Sequence, residues 1–214
     1  MKNILITFIL IIMIDLPTKT IAQDKLRSGD LLFNVSDTTN ASNFAKSIVS
    51  STSGIDKLKV SHVAIVCKED SGIFVLEATS KHGVWMCSLE DYLSEADKDE
   101  NGVPMVFVGR VKKGLDIKTT IRNAKSHIGK QYDYIFSPTD DEMYCSELVQ
   151  KSYVDKKGNP IFEPLPMSFH DDRGRILPYW IQYFLKRDLD VPEGEPGSNP
   201  GALSRDKKIK VFRL

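Results

Sequence analysis

Short apolar runs, broken by polar turns, fill residues 31 to 111. Leu31-Leu32-Phe33 follows the turn Arg27-Ser28-Gly29-Asp30 and reads as a strand. Val60 to Cys67 and Gly72 to Thr79 are rich in β-branched and apolar residues, and Lys68-Glu69-Asp70-Ser71 separates them, which predicts an antiparallel hairpin. Gly83 to Cys87 and Pro104 to Val111 read as further strands, with a polar helix from about Leu89 to Ala96 between them. In the Ser/Thr/Asn-rich stretch 34–56, Phe44, Ile48 and Val49 have helical spacing.

The period then changes. Asp116 is placed to cap a helix whose Ile117, Ile121, Ala124 and Ile128 share one side, and Gly129 stops it. Residues 131–141 form a loop. A second helix carries Cys145, Leu148, Val149 and Tyr153, with Asp140 and Asp141 just before it as N-cap types. The tail is proline-rich, with a helical patch near Tyr179 to Leu185 and an edge strand over Lys208 to Leu214. Strands first and helices later predict an α+β fold: an antiparallel sheet packed against the helix that holds Cys145.

Residues 1–22 have the pattern of a secretory signal peptide. Lys2 precedes an apolar run from Ile4 to Met13, and Thr20-Ile21-Ala22 offers small residues for cleavage. That run is too short to cross a bilayer, which takes about 20 residues. The expectation is an exported protein, periplasmic or extracellular, with no stable membrane insertion after cleavage. Residues 23–214 make one domain. Removing residues 1–22, which carry Lys2, Lys19 and Asp15, takes the formal net charge from 0 to −1. A chain so close to neutral gives no signal for nucleic-acid binding.

Three cysteines leave at least one unpaired thiol in an exported chain. Cys67 and Cys87 read either as a bridge or as small buried strand residues. There is no Cys-x-x-Cys pair and no His-Glu-x-x-His helix, so no metal is expected. Nor is there a nucleotide-binding glycine pattern, and no cofactor is expected.

The chemistry lies in His62, Glu77 and Cys145. If Cys67 faces Gly72 across the hairpin, His62 falls directly opposite Glu77, with Cβ atoms about 4.5–5.5 Å apart on one face. The carboxylate can then hold the imidazole in one tautomer. A one-residue slip would put the two on opposite faces. Cys145, near a helix start, gains from the helix dipole and from a neighbouring imidazolium, both of which favour a thiolate. Free N–H groups there can receive an oxyanion. Taken singly, His62 also fits a core histidine, Glu77 a strand-edge charge and Cys145 a buried thiol.

The ordered set narrows the choice. Gly29-Asp30-Leu31-Leu32-Phe33, Ser61-His62-Val63-Ala64-Ile65-Val66, Leu76-Glu77-Ala78, Gly129-Lys130-Gln131-Tyr132-Asp133-Tyr134-Ile135-Phe136 and Tyr144-Cys145-Ser146-Glu147-Leu148 follow one another through the chain. Together they resemble the YiiX/YebB-like circularly permuted papain-fold hydrolases, relatives of the NlpC-type cell-wall peptidases. The tail segment 192–201 also resembles a loop of that family. The resemblance implies a curled, partly open barrel, with Cys145 as nucleophile, His62 as base and Glu77 as orienter. It places Tyr132 and Asp133 at the active-site floor, while Tyr144, next to Cys145, reads either as a substrate-cleft residue or as one packed beneath the cleft. It implies a cysteine amidase acting on cell-wall peptides, peptidoglycan fragments or related small amides. Two alternatives stay open: an acyl-lipid hydrolase or acyltransferase like the lecithin:retinol acyltransferase-type enzymes, and a non-catalytic ligand-binding module.

Overall fold

The computed structural model describes residues 25–39 and 41–214. The signal-peptide pattern lies outside the described residues. One antiparallel sheet organises the chain. Its strands are β1 (Leu31–Val35), β2 (Val60–Glu69), β3 (Gly72–Thr79), β4 (Gly83–Ser88), β5 (Val106–Val111) and, after a two-stranded ribbon of β6 (Leu165–Pro166) and β7 (Pro196–Gly197), β8 (Ile209–Arg213). The order across the sheet is β4-β3-β2-β1-β5-β8, so β4 and β8 are its edges. The helices are α1 (Asn43–Ser51), α2 (Leu89–Glu95), α3 (Ile117–Ser126), α4 (Cys145–Ser152), α5 (Pro178–Leu185) and α6 (Pro200–Ser204). The fold is α+β, as expected, with the antiparallel sheet packed against the helix that carries Cys145.

Strand parity divides the apolar residues into two layers. Val63, Ile65 and Cys67 of β2 and Leu76 and Ala78 of β3 face α4, where they pack with Leu148, Val149 and Tyr153. Ala64, Val66, Val75 and Cys87 point the other way and pack under Leu89 and Tyr92 of α2. A third apolar cluster joins Met167 and Phe169 to Trp180 and Phe184 of α5, with Phe44 and Ile48 of α1 against it. The aromatic run of the tail is thus packed, as its helical spacing suggests.

Four local expectations need correcting. Cys67 lies opposite Phe74, not Gly72, so the β2–β3 register differs by two residues from the simplest hairpin. The turn is tighter than expected, because β2 runs on to Glu69 and pairs it with Gly72. In α3, Ala124 is buried, but Ile117 and Ile128 are 47% and 46% exposed, because Thr120 takes the inward position with Ala124. Asp140 and Asp141 do not cap α4. Tyr132 and Met143 form a parallel bridge that keeps the chain extended up to the N-cap residue Tyr144, while Asp140 pairs with Lys151 at 2.6 Å. All three cysteines are free thiols, so Cys67 and Cys87 are buried strand residues and not a bridge.

Candidate active site

Cys145 is the first residue of α4 and is 4% exposed. Leu148 N–H is the first to bond back along the helix, to Tyr144 C=O. The N–H groups of the first turn therefore have no partner inside the helix. Behind them, Glu147 turns its carboxylate to Tyr144 N–H at 3.4 Å. Burial, and then the charge of Asp133, push the Glu147 carboxyl up to about 8.

His62 sits beside an irregularity in the sheet. It is opposite Asn34, and the β1–β2 register shifts between Asn34 and Val35. Bulges of this kind re-aim a side chain. His62 Nε2 lies 2.7 Å from Glu77 Oε2, with the two side chains 21% and 7% exposed. The imidazole is raised from 6.5 to about 10: burial pulls it down, but the hydrogen bond and charge of Cys145, then those of Glu77, outweigh it. The hydrogen bond and charge of His62 hold Glu77 below its ordinary range against the opposing effect of burial. One ring nitrogen is thus committed to Glu77 and the other is left for the thiol.

The three groups do not come from one layer. Glu77 shares the parity of Val75, and His62 that of Ala64 and Val66, the face covered by α2. Cys145 belongs to the layer on the other face. They meet in a cleft of about 270 Å³ that is lined by His62, Glu77, Trp85, Tyr92, Tyr132 and Cys145. A second cavity of about 390 Å³ also reaches Cys145, and Ile48, Tyr132 and Cys145 line both. Its wall is mostly apolar and aromatic: Ile48, Phe136, Met167, Phe169 and Trp180, with Arg205 as its one charged group.

Of the expected cleft residues, two line cavities and one does not. Tyr132 is 7% exposed and borders both cavities. Gly83 helps to deliver it: Val84 N–H bonds to Lys130 C=O at 2.8 Å, two residues before Tyr132. Tyr144 lines the larger cavity, and its hydroxyl accepts from Ser198 N–H at 3.1 Å, which ties the proline-rich tail to the start of α4. Asp133 is a correction. It is fully buried and borders neither cavity, because its Oδ1 accepts from Ile135 N–H at 2.8 Å and braces the loop from inside. The sequence did not single out Trp85, Tyr92 or Asn34. Trp85 donates to Glu77, and Tyr92 donates to Asn34 beside the imidazole.

Three comparisons bear on this arrangement. A family model described as permuted papain-like amidase enzyme, YaeF/YiiX, C92 family, matches residues 25–210. The chain is 28% identical over 140 residues to the uncharacterized protein YiiX of Escherichia coli (strain K12), across 64% of this chain and 62% of that one. The match therefore spans less than two thirds of that relative's length. A crystal structure of metalloprotein yiiX from Escherichia coli O157:H7 superposes with a TM-score of 0.67 at 25% identity, covering 87% of this chain and 96% of that chain. The word metalloprotein belongs to that protein. Among the described residues here, no three His, Cys, Asp or Glu side chains are grouped to hold a metal ion. Glu77 already spends both oxygens on His62 and Trp85. This donor set does not fit a metal.

Proposed function

The chain belongs to the permuted papain-like amidase family, and on that footing we propose that it is a cysteine hydrolase that cleaves an amide through Cys145, His62 and Glu77. One observation carries the reading: His62 Nε2 meets the Glu77 carboxylate at 2.7 Å, and the ring lines one cleft with Cys145, which together with Glu77 raises its affinity for a proton. That is the relation of nucleophile, base and orienting acid in a triad.

The steps follow from the geometry. The Cys145 thiolate attacks the carbonyl carbon. Charge builds on the carbonyl oxygen, which the first-turn N–H groups of α4 can receive. The intermediate collapses, the C–N bond breaks, and the His62 imidazolium gives its proton to the departing amine. Water then attacks the thioester, with His62 taking its proton, and the acid leaves with Cys145 restored. Glu77 stays ionised throughout and stabilises the imidazolium. Because His62 protonates the amine, the leaving group lies in the smaller cleft and the acyl group in the larger cavity.

The substrate class we favour is a peptide or other small amide of the cell envelope, peptidoglycan fragments among them. It fits a protein exported by a signal at residues 1–22. Among the described residues, no helix is long and apolar enough to cross a membrane. A second reading has a specific observation behind it. The aromatic and aliphatic wall of the larger cavity suits a long acyl chain, as in an acyl-lipid hydrolase or acyltransferase. Incubating the purified protein separately with peptidoglycan fragments and with N-acyl and O-acyl lipids, and trapping the thioester on Cys145 by mass spectrometry, tests both. Acylation by peptide fragments alone supports the first reading, and acylation that strengthens with chain length supports the second. No adduct on Cys145 from either class, in protein whose Cys145 is reduced, overturns both.

A further inference from the structure

Glu77 has two carboxylate oxygens, and His62 occupies only one. The other, Oε1, accepts the indole N–H of Trp85 at 3.0 Å, with the Cys87 thiol a much weaker donor to it at 4.0 Å. Trp85 stands directly opposite Glu77 in the β3–β4 ladder, with Thr79 opposite Gly83 at the turn end of the same hairpin. Opposed residues of an antiparallel pair share a face, so backbone register brings the indole to the carboxylate. The outer side of the indole is covered by His82, whose ring stacks on it at 4.0 Å between centroids.

From these contacts we propose that Trp85 is a positioning residue of the active site, whose N–H fixes the Glu77 carboxylate so that Oε2 stays on His62. The inference rests on the triad reading given above. A glutamate side chain turns about three bonds, and one contact leaves its carboxyl plane free to swing. Donors on both oxygens fix that plane. Glu77 is 6% exposed, so water is poorly placed to replace a lost donor. The choice of indole also matters chemically. Trp donates and cannot accept, so it does not compete with Glu77 for the imidazole proton. A hydroxyl or imidazole in its place could.

The test is Trp85→Phe, which keeps a ring at the position and removes the donor. A second variant carries 3-benzothienylalanine at position 85, which keeps the bicyclic shape and lacks only the N–H. The first readout is the rate at which chloroacetamide alkylates Cys145. The second is the pH titration of the His62 ring by NMR, which a merely structural role would not move. In both variants we expect alkylation to slow by roughly 10- to 100-fold, the scale of a misplaced catalytic group. We also expect His62 to lose its proton at lower pH, by about a tenfold loss of proton affinity. Wild-type alkylation and titration in the benzothienyl protein would overturn the role of Trp85 and leave the triad standing. Alkylation of Cys145 in the wild-type protein no faster than that of Cys67 and Cys87 would instead overturn the triad, and this inference with it.

Discussion

Glu77 reaches His62 diagonally across the ladder. Ile65 pairs with Leu76 and Cys67 with Phe74, so Glu77 is not the residue directly across from His62, yet Oε2 comes within 2.7 Å of Nε2. A diagonal neighbour lies about 7–8 Å away on the backbone, a gap that a glutamate spans and an aspartate does not. The identity of the acid is therefore set by its place in the register.

Removing the parts of the proposed triad should rank them. Cys145→Ala should abolish thioester formation, and His62→Ala should lower turnover by at least about 10⁴-fold, with the double variant no worse than Cys145→Ala. Glu77→Gln keeps the shape and loses the charge, and should cost less than His62→Ala. Glu77→Asp should be no better than Glu77→Gln, because the shorter side chain cannot make the diagonal reach. Cys145 and Glu77 are 4% and 6% exposed, so circular dichroism must accompany the rates. Wild-type turnover in Cys145→Ala would refute the mechanism.

The pH dependence follows from His62, raised from 6.5 to about 10. The proposed mechanism needs the ring protonated to release the amine, so kcat/KM should hold well above neutral pH and fall as pH rises through about 10. A group whose folded value is raised stabilises the fold fully below its unfolded value and loses that contribution on the way up. The urea midpoint of the wild type should therefore decline between 6.5 and about 10 relative to His62→Ala. Parallel midpoints across that window would contradict the assignment.

The three thiols should react in order. Burial, and then the charge of Glu77, push Cys87 up to about 12, and burial also raises Cys67. Cys145 has an imidazolium partner instead. Iodoacetamide at pH 6 should label Cys145 first, as read by peptide mass spectrometry. Equal labelling of all three would make Cys145 an inert core thiol.

Gly83→Ala should be costly. Gly83 has φ +65, and a Cβ there would meet Lys130 O at 2.2 Å. A strained backbone and a clash with main chain together cost about 2 kcal/mol or more. The same contact fixes the segment leading to Tyr132, so the melting temperature and the alkylation rate of Cys145 should drop together. An unchanged melting point with unchanged alkylation would show that this approach holds nothing in place.

Much of this was legible in the sequence. The strand runs, the hairpin, α1 around Phe44 and Ile48, and the last edge strand all have clear periods and turn residues. The pairing of His62 with Glu77 survived an error in register because the error was two residues, and parity repeats every two. Other features were hidden for physical reasons. Trp85 meets Glu77 only through the β3–β4 register, which no local signal specifies. Asp133 looks like a cleft residue because it adjoins Tyr132, but its side chain turns inward to satisfy loop N–H groups. Asp140 and Asp141 are good caps by type, yet the long-range bridge from Tyr132 to Met143 overrules them. The apolar cavity wall is built from α1, the loop around Phe136 and the tail, segments brought together only by tertiary packing.

The division of the site between two packing layers has a consequence for how the protein comes to be reactive. His62, Glu77 and Trp85 lie on three successive strands, each paired to the next, and can organise as a local meander while the rest of the chain is still being made. Cys145 arrives from the other face of the sheet, and the tail that walls its cavity comes later still. Contacts between sequence-distant segments close last, since loop entropy must be overcome first. Reactivity should therefore be a late event, latent in a nascent chain and switched on only when α4 docks. Refolding followed by sheet signal and by pulse alkylation of Cys145 should show the thiol lagging behind the strands.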